Sequence, residues 1–339
     1  MKYKARLLAL LVCAFCAINV YAQRQPVQTV QFQSALIGRT LPYNVILPKD
    51  YDASPRTRYP VLYLLHGLFG HYSDWITRTN VADYAAQYPI IVVMPEGNDG
   101  WYTDSATVPS DKYESYILKE VIPDVQKRYR TIETRYGRAV AGLSMGGYGA
   151  LKFGLKSPDT FIFAGSLSGA LAAPTWTEED LKALKAIRDS VFNVFGPLAS
   201  DTRKANDIYE ITRGLSTARR AGLPYLYLDC GTEDLLVNFN QQFAVLLREK
   251  KIPHEYRELP GDHNWAYWDQ QVQEVLKIAA SRVVRTSPRA KDMPRSRRVP
   301  KIGKLAGFPR LRYPHYVPPT HFSESFEVKF AEFRHSDCA

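Results

Sequence analysis

Cysteine is scarce in this chain: its 339 residues include four. Cys13 and Cys16 fall in an apolar N-terminal run, leaving Cys230 and Cys338 for everything after it. Two thiols so far apart build no disulfide framework, and no Cys/His cluster has metal-ligand spacing. A stapled miniature fold and a structural zinc site are therefore excluded. Cys230 closes an apolar stretch and reads as a buried free thiol rather than a partner for Cys338. Long apolar runs are also missing. The N-terminal one, from Leu7 to Val20, has fourteen residues, short of what about 30 Å of hydrocarbon requires, and no later stretch suffices. No internal repeat suggests a solenoid or propeller. Net charge is lacking where a nucleic-acid surface would need it. The formal +10 of the whole chain sits at its ends, and residues 23–281 carry 28 basic against 29 acidic residues, so the body has no footprint for a polyanion.

The two ends differ in kind from the body. Lys2, Lys4 and Arg6 precede the apolar run, and Val20-Tyr21-Ala22 closes it. This is the pattern of a secretory signal peptide over residues 1–22, with cleavage after Ala22, and it predicts a secreted or periplasmic protein. Residues 286–339 hold seven prolines and the run Arg295-Ser296-Arg297-Arg298. They read as a basic, disordered tail, with a short strand at Phe326, Val328 and Phe330 as its one candidate element. Residues 23–285 are left as the catalytic domain. The chain is 45% hydrophobic and 12% aromatic, ample for one large core.

Strand and helix signals alternate through that region. Val27–Ser34 and Leu41–Leu47 read as an antiparallel opening pair, followed by strands at Tyr59–Leu65, Ile90–Met94, Ala139–Ala141, Phe161–Leu167, Leu223–Cys230 and His254–Leu259. Helical periodicity falls at Val81–Gln87, Tyr113–Tyr129 with Pro123 as a kink, Met145 to about Ser157, Gln241–Lys251 and Asp269–Val284. The all-apolar run Ile90–Met94 suits a strand covered on both faces. The pattern predicts an α/β fold, a mostly parallel doubly wound sheet with helices on both faces. Residues 171–222 break the rhythm with charged helical sequence. They read as an insertion over the C-terminal edge of the sheet, where such folds bind ligands.

The chemistry starts at Gly142-Leu143-Ser144-Met145-Gly146, between the apolar Ala139-Val140-Ala141 and a helical run. Strand, tight turn and helix together make a nucleophile elbow, which lifts the Ser144 hydroxyl into a cleft. Glycines two residues either side let strand and helix approach. Such a serine needs a base, and the base needs a carboxylate, in the chain order Ser, acid, His. His263, in the turn Gly261-Asp262-His263-Asn264, is favoured over His254, which begins a strand. For the acid, Asp234 is favoured over Glu233 and Asp229, with helix capping as the plain alternative for all three. The oxyanion hole needs two N–H donors. Met145 supplies one at a helix N-terminus, and Leu68 the other from His66-Gly67-Leu68-Phe69-Gly70, ahead of Phe69. His66 orders that loop rather than acting as base. Trp101, Tyr102 and Trp265 are candidate substrate contacts by stacking, and Asn98 by hydrogen bonding, with core packing and turn chemistry as the competing readings.

Five segments together resemble the esterase D-like branch of the α/β-hydrolases, the group that includes feruloyl and acetyl esterases. They are Leu64-Leu65-His66-Gly67 with downstream Trp75, Met94-Pro95-Glu96-Gly97-Asn98, Gly142 to Ala150, Asp229 to Asp234, and Gly261 to Trp265. The resemblance spans residues 27–281 and implies the same Ser144, Asp234 and His263, with Leu68 and Met145 at the oxyanion hole. It implies a serine carboxylesterase with no cofactor and no metal. The substrate class is a short-chain, acetyl or hydroxycinnamoyl ester, small or linked to a plant polysaccharide. An acyltransferase of the mycolyltransferase type, an S-formylglutathione hydrolase-like thioesterase and a catalytically silent carbohydrate-binding module are the alternatives. The signal peptide speaks against the cytosolic thioesterase. Nothing in the family pattern corresponds to the tail.

Overall fold

The computed structural model describes residues 26–283. The expected signal peptide and cleavage site, the expected tail with its candidate strand, and Cys338 lie outside the described residues.

Eight strands form one sheet. They are β1 (Val27–Gln33), β2 (Thr40–Ile46), β3 (Val61–Leu65), β4 (Ile91–Pro95), β5 (Arg138–Leu143), β6 (Phe163–Leu167), β7 (Tyr225–Gly231) and β8 (His254–Leu259). Their spatial order is β1-β2-β4-β3-β5-β6-β7-β8. β1 pairs antiparallel with β2, and β2 with β4; every later pairing is parallel. This is the expected α/β architecture with its antiparallel opening pair.

Period-two alternation divides the core into two layers. Tyr63, Leu65 and Val140 face one side, against Tyr116, Ile117, Val125 and Leu151. Leu62, Leu64, Ala139 and Ala141 face the other, against Trp268, Val272 and Leu276. Helices therefore cover both faces, and central strands such as β3, β4 and β6 are buried along their whole length.

Several boundaries move from the sequence expectation. Tyr59 makes only an isolated bridge to Thr131, so β3 opens at Val61. The short helix α1 (Asp74–Arg78) carries no clear sequence signal and precedes α2 (Val81–Ala85). The Tyr113–Tyr129 helix is composite: α3 (Tyr113–Tyr116), a π-helical turn at Ile117–Val121, and α4 (Ile122–Arg128). The wide turn sits just ahead of Pro123, whose missing N–H interrupts the regular ladder. The elbow helix α5 is Met145–Lys156. Residues 171–222 hold a 3-10 turn at Ala173–Thr175 and four α-helices: α6 (Lys185–Phe195), α7 (Asp201–Asn206), α8 (Ile208–Gly214) and α9 (Thr217–Ala221). The last two helices begin four residues earlier than the sequence expectation, α10 at Val237–Glu249 and α11 at Trp265–Arg282. At α11 the reason is a cap: the Asn264 side chain accepts the Tyr267 N–H at 3.0 Å. No helix among the described residues is long and apolar enough to cross a membrane.

Candidate active site

Ser144 stands between β5 and α5 with φ 52° and ψ −116°, a conformation that side chains rarely adopt. Close packing holds it there. Its N–H donates to the Leu167 carbonyl at 2.9 Å, and its own carbonyl accepts from Tyr148 and Ala170, both at 3.0 Å. The flanking glycines do what the motif requires. A Cβ on Gly142 would stand 2.6 Å from the Gly146 carbonyl carbon, and one on Gly146 would stand 2.5 Å from the His66 carbonyl oxygen. Helix and strand can cross this closely only without those atoms.

The loop after β8 brings His263 to Ser144. Its Nε2 lies 3.0 Å from the Ser144 Oγ. Its Nδ1 lies 2.9 Å and 3.1 Å from the two carboxylate oxygens of Asp234, in the loop after β7. All three residues are buried, and the imidazole packs edge-on against Trp268 with ring centroids 4.9 Å apart. Burial alone would raise the Asp234 carboxyl. The adjacent His263, together with the Leu236 N–H at 2.8 Å, outweighs it and holds the group below the ordinary carboxylate value.

The alternative candidates have other partners. His254 Nδ1 donates to the Ile252 carbonyl at 2.8 Å, away from the elbow. The Glu233 carboxylate accepts the Gly261 N–H at 2.6 Å and so ties the Asp234 loop to the His263 loop. Asp229 is fully buried inside β7, where its Oδ1 accepts the Tyr267 hydroxyl at 3.2 Å. Burial pushes its carboxyl up to about 7.

On the opposite side of Ser144, the loop after β3 approaches so closely that a Cβ on Gly67 would lie 3.6 Å from the Ser144 Cβ. His66 Nδ1 donates to the Gly67 carbonyl at 2.7 Å, in keeping with the loop-ordering reading. The Leu68 and Met145 N–H groups have no protein acceptor among the described residues. The Phe69 N–H is engaged by the Asp99 carboxylate at 2.8 Å, which sets it apart from Leu68 as a donor.

Two of the three expected aromatic contacts, Trp101 and Tyr102, need correction. Trp101 and Tyr102 are 1% and 0% exposed and belong to the core. The Trp101 ring packs on Tyr148, Trp176 and Phe195, and its Nε1 donates to Ser190 of α6 at 2.8 Å. The Tyr102 hydroxyl donates to the His66 carbonyl at 3.1 Å. Both residues have positive φ, a turn that points them inward and that no sequence motif announces. Trp265 packs edge-on between Trp75 and Trp268, behind His263. Asn98, by contrast, lines a cavity of 580 Å³ beside the loop, together with Phe69, Asp99, Asp111, Tyr113 and Asn193. Among the described residues, no group of His, Cys, Asp or Glu could hold a metal ion.

Sequence reasoning also missed Lys152, which looks like an ordinary helix-surface lysine. It is wholly buried on α5, where its Nζ donates to the Tyr102 carbonyl at 2.5 Å, Thr103 Oγ1 at 2.7 Å and Glu114 at 2.8 Å. Burial lowers its pKa to about 8.

An elbow serine above a parallel sheet of this order is the architecture of the α/β-hydrolases, and the comparisons narrow it to a carboxylic ester hydrolase. The family model described as "Putative esterase" matches residues 34–278, and the chain belongs to that family. An acetyl esterase of Caldicellulosiruptor saccharolyticus is 28% identical over 257 residues, 73% of this chain and 95% of the relative. Esterase Rv1288 of Mycobacterium tuberculosis is 34% identical over 252 residues, 69% of this chain and 54% of the relative, so the chain spans about half of that protein. Among solved structures, a ferulic acid esterase is 27% identical, with a TM-score of 0.65, over 76% of this chain and 98% of the other.

Proposed function

We propose that Ser144, His263 and Asp234 form the catalytic triad of a serine esterase. The observation that carries this reading is the unbroken hydrogen-bonded series from the Ser144 hydroxyl through the imidazole to the Asp234 carboxylate. Ser144 Oγ attacks the acyl carbonyl while His263 Nε2 takes its proton, and the carbonyl π electrons move onto oxygen. Asp234 holds the ring with Nδ1–H toward itself and stabilises the imidazolium that forms. The Leu68 and Met145 N–H groups receive the oxyanion, and the α5 N-terminus adds its dipole. When the tetrahedral intermediate collapses, the C–O bond to the alcohol breaks and His263 protonates the leaving oxygen. Water, deprotonated by the same imidazole, then releases the acid and restores Ser144.

The acyl group we propose is short-chain, acetyl or hydroxycinnamoyl, on a polar alcohol such as a polysaccharide hydroxyl. Relatives named acetyl esterase and ferulic acid esterase support the acyl part. The cavity beside the loop supports the alcohol. The Tyr113 hydroxyl accepts from Arg39 and Asn98 there and Asp111 offers a carboxylate, next to the apolar Phe69, Val108 and Val194, a mixed lining that suits the hydroxyl groups and ring faces of a sugar. The N-terminal pattern ending at Ala22 supports export. The test is hydrolysis of p-nitrophenyl esters of graded chain length, methyl ferulate and acetylated xylan, with Ser144→Ala as control. Turnover retained in that variant overturns the assignment. A preference for acyl transfer to an added sugar over water would redirect it to an acyltransferase.

A further inference from the structure

The loop that carries Leu68 is held both by bonds of its own and by the segment Glu96–Tyr102. Gly97 N–H donates to His66 Nε2 at 2.8 Å, the Tyr102 hydroxyl donates to the His66 carbonyl at 3.1 Å, and Asp99 Oδ1 accepts the Phe69 N–H at 2.8 Å. Within the loop, the Gly67 carbonyl accepts from His66 Nδ1 at 2.7 Å and from Gly70 N–H at 3.2 Å.

Leu68 therefore sits between two pinned peptide planes. In a trans peptide the C=O and N–H point in opposite directions. Fixing the Gly67 carbonyl thus aims the Leu68 N–H the other way. The next plane is fixed through its N–H, by Asp99. Phe69 has φ 60° and is 38% exposed. A bulky aromatic in this left-handed region persists only where its surroundings impose it, and the bond from its N–H to the Asp99 carboxylate is one such constraint. Asp99 is itself exposed, and its backbone carbonyl accepts the Ser190 hydroxyl of α6 at 3.0 Å. The helical insertion thereby reaches the loop in two steps.

We infer that Asp99 is a positioning residue for the oxyanion hole, acting through the Phe69 amide on the aim of the Leu68 N–H. The inference rests on the serine-esterase reading above. It carries an electrostatic corollary. A carboxylate close to a developing oxyanion opposes it, so the useful property of Asp99 is its acceptor oxygen and not its charge. An asparagine keeps the acceptor and removes the charge.

The experiment compares wild type, Asp99→Ala and Asp99→Asn on p-nitrophenyl acetate, with kcat and KM resolved and Tm measured. Asp99→Ala is expected to lose about tenfold or more in kcat with little change in KM or Tm, short of the roughly 10²–10³ lost when an oxyanion donor is removed outright. Asp99→Asn is expected to stay within about threefold of wild type or to exceed it. Wild-type kcat in Asp99→Ala overturns the inference, as does an asparagine variant as slow as the alanine one. If the wild-type enzyme hydrolyses no ester at all, it is the esterase reading that fails.

Discussion

His263 Nε2 and Ser144 Oγ are 3.0 Å apart in space and 119 residues apart in the chain. The distance allows direct proton transfer, and the proposed triad is expected to act as a unit. His263→Ala is expected to lower kcat by about 10⁴-fold or more, and Asp234→Asn by about 10⁴-fold, because an amide favours the wrong ring tautomer. The double variant should be no slower than His263→Ala alone. Steady-state kinetics on p-nitrophenyl acetate checks this; multiplicative losses would mean that the two side chains act independently.

The elbow glycines make a structural prediction. A Cβ on Gly146 would meet two backbone atoms of the neighbouring strand and loop, the His66 oxygen at 2.5 Å and the Leu65 oxygen at 2.6 Å. Backbone cannot swing away as a side-chain tip can. Gly146→Ala should cost about 1–3 kcal/mol of stability and lower kcat as Ser144 shifts. Gly214, at the end of α8, has nothing within 4 Å of such an atom, so Gly214→Ala should be neutral or slightly stabilising. Urea unfolding of the two variants separates the cases; equal effects would contradict the close-approach account.

These sites show which features the sequence displayed and which it concealed. The elbow was legible because strand, turn, glycines and helix lie within a dozen residues. Asp234 and His263 were legible because each sits in a turn just beyond a strand on the carboxyl edge of the sheet, where the fold delivers side chains to one place. The Phe69–Asp99 bond was hidden, since it joins two loops thirty residues apart and leaves no periodicity. The inward turn of Trp101 and Tyr102 is hidden as well, because an aromatic after a strand end can face either way; two consecutive positive φ values decide that, and neither residue type signals them. The early start of α10 leaves no apolar signal, since its buried first-turn residue is the polar Asn240, whereas at α11 the buried Trp268 does continue the apolar series of Val272, Val275 and Ala279 and the true start is set by the Asn264 cap.

Lys152 gives a stability prediction. Its ammonium has no exposure, and it bonds three oxygens, among them the Glu114 carboxylate, which Lys156 also contacts at 2.8 Å. Burial opposes charge on Glu114, and the two lysines outweigh it, holding that carboxyl at about 2. Lys152→Met would leave the Tyr102 carbonyl and Thr103 without their donor and Glu114 with one cation. The expected loss is about 3 kcal/mol or more, measured by urea unfolding. Adding Glu114→Gln to Lys152→Met should recover part of it, since the uncompensated charge is gone. A double variant less stable than the single one would contradict this account.

Asp229 makes the fold sensitive to pH in a direction opposite to that of most acidic side chains. Its carboxyl keeps its proton to about pH 7 in the folded state because burial disfavours the anion. In the unfolded chain an ordinary aspartate loses the proton near pH 3.9. Between those values the folded state binds more protons than the unfolded one, so this group lowers stability as pH rises from about 4 to about 7 and adds no further slope above that. Asp229→Asn removes the titration. Its amide carries a constant cost, because the Oδ2 position has no hydrogen-bond partner among the described residues, so the slope is the informative quantity. Urea unfolding of both proteins at about pH 4.5 and about pH 8 should show the variant gaining on wild type as pH rises. Parallel pH dependences in the two proteins would mean that Asp229 is ionised in the folded state and that its surroundings supply the compensation credited here to the retained proton.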